Sequence, residues 1–133
     1  MNIVVWALQV LLALAFLGHG LMFLFPPASV VEQMNALLPR WFQLFLGVAE
    51  VLAGIGLTLP GLTRIKPWLV TWAAAGIMVV LISATILHAM RNEVSSAVIT
   101  AVMFTLAAFV FYIRWRVLPI QPRRGAVVGQ GAA

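Results

Sequence analysis

Four apolar stretches, at about 3–25, 41–59, 68–90 and 94–115, are separated by short breaks that carry the prolines and most of the charges. Each approaches or exceeds the roughly 20 residues that an α-helix needs to cross a hydrocarbon core. Backbone N–H and C=O groups in lipid must be paired within their own segment, so each stretch is predicted to be a helix. Alternation at period two is absent, which argues against a membrane β-barrel. Pro26-Pro27 ends the first stretch, and Pro60-Gly61 is predicted to end the second. The break between them, "PPASVVEQMNALLPR", is long enough for a short amphipathic helix with Val30, Val31, Met34, Leu37 and Leu38 on its apolar face. The pattern predicts an all-α fold: an integral membrane four-helix bundle in residues 1–116, then a disordered, basic, Pro/Gly-rich tail in 117–133.

Composition supports lipid as the solvent. The chain has 133 residues, 64% of them hydrophobic and 8% charged, where a soluble domain carries about a quarter charged residues. A chain this short has too little interior to hide so much apolar surface from water. The net charge of +5 does not form a basic patch interleaved with aromatics, so nucleic acid is not an expected partner. Its distribution reads as membrane orientation instead. Arg64, Lys66, Arg114, Arg116, Arg123 and Arg124 fall on one side, with only Arg40 and Arg91 on the other. That bias predicts a multi-pass protein of the inner (plasma) membrane with both termini cytoplasmic. "ALA" at 13–15 resembles a signal-peptidase site, but "MNIVV" lacks Lys and Arg and the apolar run continues past it, so the first stretch is expected to be a retained helix. Trp41, Trp68 and Trp115 fall at predicted helix ends, where aromatic belts sit.

The polar groups inside the spans carry the functional information. Glu50 lies near the middle of the second span, where a carboxylate is costly. Gln43, Gly47, Glu50 and Gly54 are spaced four, three and four apart, which puts them on one stripe. Glycine alternating with hydrogen-bonding side chains suits a close helix–helix contact, so Glu50 is expected to face the bundle. Ranked by depth, its partners are His19 of the first span, Gln43 of its own helix, and Thr85 and His88 at the end of the third, with Arg91 just beyond. These six residues predict a ligand-binding pocket opening on the outer side, with Glu50 at its floor. Glu50 and His19 are the candidates for acid–base chemistry. An equally weighted reading makes Glu50 an internal tie between helices, and taken singly His19, His88 and Arg91 read as structural or interfacial residues. Ala97, Ala101, Thr105 and Ala108 form a small-residue stripe suited to packing within the bundle or against a second copy.

Other chemistries find little support. Two histidines and a glutamate are too few and too poorly spaced for a metal site, and the histidines differ in depth, which disfavours bis-histidine haem ligation. There is no Asp and no Cys in the chain, so a Ser-His-Asp triad, a disulfide framework and a thiol relay are excluded. No phosphate-binding loop is present, because the glycines fall inside helices or in the tail.

Three segments together resemble one family. "FLGHGLMFLFPP" ending the first helix, "PRWFQLFLGVAEVLAGIGLTLP" as the second, and "HAMRNE" after the third are similar to DoxX-like membrane proteins, over nearly the whole chain to about Arg116. The second-helix pattern "GVxExxxGxGLxLP" carries the resemblance best, with Glu50 at the family's intramembrane glutamate and His88 at a histidine common at the end of the third helix. Phe23 stands where many members have lysine, which leaves His19 as the substitute cation of the first helix. The resemblance implies a four-helix membrane protein associated with redox systems, since the family is named for a subunit linked to a thiosulfate:quinone oxidoreductase, and distant relatives are receptor-assembly chaperones.

The leading expectation is an accessory subunit of a membrane redox or quinone-linked system. It would hold no cofactor of its own, take a quinone or another lipophile at Glu50, and have the bilayer, a redox partner protein and a second copy as partners. The first alternative is a membrane-embedded acid–base enzyme, isomerase-like, acting on a lipophilic substrate. The second is a small proton-coupled transporter. In the small multidrug exporters, however, the glutamate lies in the first helix, and dual-topology members carry little charge bias.

Overall fold

The computed structural model describes residues 2–122, and these form an all-helical bundle. The elements are α1 (Asn2–Leu24), α2 (Val31–Leu37), α3 (Arg40–Thr63), α4 (Leu69–Met90) and α5 (Val94–Tyr112), with a final π-helical turn at Ile113–Val117. Four helices are long and apolar enough to cross a membrane: α1, α3, α4, and α5 continued through the π turn. The short α2 occupies the first break and buries none of its residues, as a helix lying at an interface would. Within the bundle α1 packs chiefly on α3, α5 chiefly on α4, and α3 joins the two pairs through α4.

α3 runs further than the prolines suggested. It continues through Pro60 to Thr63 and ends at Arg64, whose φ of 58° is left-handed. Proline removes a single backbone donor, and with little water to compete the remaining bonds hold the turn. Thr63 Oγ1 donates to Leu59 O (2.9 Å) within it. Arg64 then donates from Nε to Gln121 O (2.8 Å) and from Nη2 to Pro122 O (3.3 Å), so the first part of the predicted tail, residues 118–122, is tied to the end of α3. The rest of that tail, with Arg123 and Arg124, lies outside the described residues.

Buried positions on α1 (Val5, Gln9, Leu12, Ala13, Phe16, Gly20) and α3 (Gln43, Gly47, Glu50, Gly54, Leu57, Gly61) recur at three- and four-residue spacing. The two stripes face each other. Apolar burial gives little net drive in lipid, so close packing and polar contacts hold such a pair together. The crossing is tight at Gly20 and Gly47: a Cβ on Gly20 would sit 2.9 Å from Gly47 O, and one on Gly47 only 3.0 Å from Gly20 O. Gly20→Ala is therefore expected to force the helices apart and lower stability by about 1–3 kcal/mol. Thermal unfolding followed by circular dichroism in detergent measures this, and an unchanged midpoint would mean the crossing has slack.

The small-residue stripe of the fourth span flanks the packing face, with Ala97 and Ala108 half-buried. Ala101 and Thr105 are exposed, while Ala107, Val110, Met103 and Phe104 face the core. Large apolar residues such as Leu14, Leu52, Val79 and Val102 are exposed around the bundle, where lipid tails would cover them.

Candidate functional site

Glu50 lies on the buried stripe of α3 and is 2% exposed. His19, on α1 one residue before the close-packed Gly20, is 52% exposed and lies across the helix contact. Its Nδ1–H donates to Glu50 Oε2 at 2.6 Å. Phe23, one turn further along α1, packs edge-on against the imidazole at 4.8 Å between centroids and 89° between planes. Donation through Nδ1 leaves Nε2 without a hydrogen-bond partner among the described residues. A histidine oriented by a carboxylate in this way has its tautomer set and its second nitrogen available.

Beside this couple is a cavity of about 260 Å³. All four long helices line it: Phe16 and His19 from α1, Glu50 from α3, His88 from α4, and Thr100 and Met103 from α5. The Thr85 hydroxyl, in the second layer, donates to Thr100 Oγ1 at 2.8 Å, and Thr100 in turn donates to Ser96 O at 3.0 Å. A second imidazole–carboxylate couple stands on the His88 side, where Nδ1–H donates to Glu93 Oε2 at 2.5 Å. The chamber is thus mostly apolar, with two oriented histidines, one buried carboxylate and one hydroxyl, the mix typical of small-molecule sites.

Three of the six residues expected at the pocket do not line it: Thr85 stands behind Thr100, and Gln43 and Arg91 lie elsewhere. Gln43 is fully buried but turned to the first break: Nε2 donates to Leu38 O (2.9 Å), Asn35 Oδ1 (3.1 Å) and Met34 O (3.2 Å). It fastens α2 to the head of α3, and Arg40 completes the join by donating to Phe23 O (2.8 Å) and Leu24 O (3.0 Å) at the open end of α1. Arg91 sits in the α4–α5 turn with Nη2 3.5 Å from Glu93 Oε1. Seven residues separate Gln43 from Glu50, ~10 Å along the axis, so sharing a stripe does not place both in one chamber.

Glu93 is the partner that stripe reasoning overlooked. The hydrogen bond from His88 holds its carboxyl below the usual range; burial opposes this in part, and the Arg91 charge adds a smaller downward effect. A lowered folded value stabilises the turn above the ordinary carboxylate pKa and loses that effect as the pH falls through the folded value. Glu93→Gln should therefore lower the melting temperature slightly at neutral pH, and the gap to wild type should close below about pH 4. A melting series over pH 3–7 tests it, and a gap that widens in acid would contradict it.

At the other end of α1 is a polar cluster that the sequence had not flagged. Gln9 (0% exposed) donates from Nε2 to Leu57 O at 2.7 Å, and its Oε1 accepts from Arg114 Nε at 2.5 Å. Arg114, 4% exposed, also donates from Nη1 to Asn2 Oδ1 (2.8 Å) and Leu118 O (3.0 Å) and lies 5.3 Å from the Trp6 ring centroid. Its signal was present: Asn2, Trp6 and Gln9, spaced four and three, form the same kind of stripe as the one that picked out Glu50.

Among the described residues no group of three or more His, Cys, Asp and Glu is arranged to hold a metal ion. Fold and site together define a small multi-pass membrane protein, a four-helix bundle with a mostly apolar cavity beside Glu50. The chain belongs to the DoxX-like family, whose model matches residues 7–110 and so spans the helices that build the chamber. Neither the curated proteins nor the solved structures compared with it gave a match.

Proposed function

We propose that this DoxX-like protein is an accessory subunit of a redox system in the inner membrane, with both termini cytoplasmic, and that the chamber beside Glu50 holds the polar ring of a quinone or a similar lipophile. One observation carries the reading: the His19–Glu50 hydrogen bond forms part of the wall of a cavity of about 260 Å³. A lipophile with a hydroxyl group, such as a reduced quinol, would find an acceptor at His19 Nε2 and apolar contact at Phe16 and Met103. The charge bias across the loops supports the orientation.

The test is purification in mild detergent, solvent extraction, and mass spectrometry of whatever lipophile is retained. A quinone-class compound is expected in the wild type, reduced about tenfold in Glu50→Gln, which keeps a similar shape but alters one hydrogen bond to the ligand or to His19. Finding neither a bound lipophile nor a co-purifying redox protein would count against the proposal.

The direct imidazole–carboxylate contact also favours a second reading, an acid–base enzyme of isomerase type acting on an apolar substrate. In that case Glu50→Gln abolishes turnover of the extracted lipophile while helicity is retained.

A further inference from the structure

A second cavity, of about 670 Å³, lies at the opposite end of the bundle from the His88–Glu93 turn, between the start of α4 and the end of α5. Its wall combines Trp68, just before α4, and Trp72 of α4 with Phe111 at the end of α5 and Trp115 of the π turn, and residues 119–122 close one side. Arg114 is the one charged side chain among these lining residues, and its Nη2, buried, has no hydrogen-bond partner among the described residues. Arg116 stacks on the lining Trp115 at 4.4 Å, and Arg64 holds the segment that closes the cleft through Gln121 O and Pro122 O. Three guanidinium groups therefore surround the cleft. The three glutamates are remote from it: Glu32 is in α2, Glu50 on the other chamber, and Glu93 in the far turn. Exposed tryptophans at a helix end mark the depth of lipid headgroups.

From this we infer that the cleft binds an anionic phospholipid of the adjoining leaflet, with its phosphate toward Arg114 and an acyl chain along the tryptophan wall. Charge complementarity selects the headgroup: an arginine donor left unpaired in a low-dielectric wall gains most from a phosphate oxygen. The aromatic surface supplies the chain contact that a free anion cannot use. This site is independent of the chamber at Glu50 and of the reading given to it.

The experiment titrates full-length protein in dodecyl maltoside with dioleoyl phosphatidylglycerol, dioleoyl phosphatidylcholine or inorganic phosphate. Retained lipid is counted by native mass spectrometry, and the melting temperature is followed in parallel. Phosphatidylglycerol should be retained about tenfold better than phosphatidylcholine and should raise the melting temperature, while phosphate alone should not. Thr71→Trp, which fills the cleft and leaves every cation in place, should abolish the preference, and Ala75→Phe serves the same purpose if the first variant does not fold. Equal retention of the two lipids overturns the inference. So does a preference that survives filling of the cleft, which would mean diffuse attraction to the basic end, or a phosphate effect equal to that of the lipid.

Discussion

Gln9→Leu is expected to be among the most damaging single substitutions in the bundle, with a loss of about 3–5 kcal/mol. The side chain joins three helices: α1 carries it, α3 accepts its amide proton at Leu57 O, and Arg114 beyond α5 donates to its carbonyl oxygen. Leucine has a similar volume, so the packing loss is small. The cost arises because Arg114 Nε is left buried without an acceptor, next to an Nη2 that already has none among the described residues. Removing one partner of a buried charged contact is far more expensive than removing both. Hence Gln9→Leu combined with Arg114→Met should recover most of the loss. Thermal unfolding of the wild type, both single variants and the double variant closes the cycle. If the double variant is as unstable as the sum of the singles, the cluster acts through packing, and its hydrogen bonds contribute little.

The contrast between Arg114 and Glu50 shows what residue order reveals and what it hides. Spacing alone put Glu50 on a glycine-framed inward stripe, because helical geometry fixes which residues share a face and lipid punishes a carboxylate turned outward. The length and apolarity of the spans were equally plain, since they follow from bilayer thickness. Arg114 was harder to place. An arginine at the end of an apolar run usually marks orientation, and only its position four residues after the buried Val110 and seven after the buried Ala107 shows that it turns inward. Gln43 was misplaced for another reason. The break before it folds back as α2 and captures its amide, and such a loop leaves no periodic trace. The run of α3 beyond Pro60 belongs with these, since a breaker learned from water is weaker where backbone bonds face no solvent.

His19→Leu and Glu50→Leu should differ sharply although they break the same 2.6 Å contact. Glu50 is 2% exposed and His19 52% exposed. Losing His19 leaves a carboxylate enclosed in the bundle without its donor, a cost of about 3 kcal/mol. Losing Glu50 leaves only a neutral, half-exposed imidazole without its acceptor instead of an unpaired charge, and leucine fills the vacated space, so stability should change by less than about 1 kcal/mol in either direction. Melting temperatures and retained lipophile, measured together, separate the two roles of Glu50. A residue kept for a ligand is one whose replacement by leucine leaves the bundle intact and empties the chamber, because proteins retain costly polar groups where function needs them. A residue kept as a tie behaves oppositely: Glu50→Leu would melt early, and whatever fraction stayed folded would still carry its ligand. The asymmetry of burial across one hydrogen bond thus turns the question of what Glu50 is for into two curves, and the ligand reading requires that only one of them move.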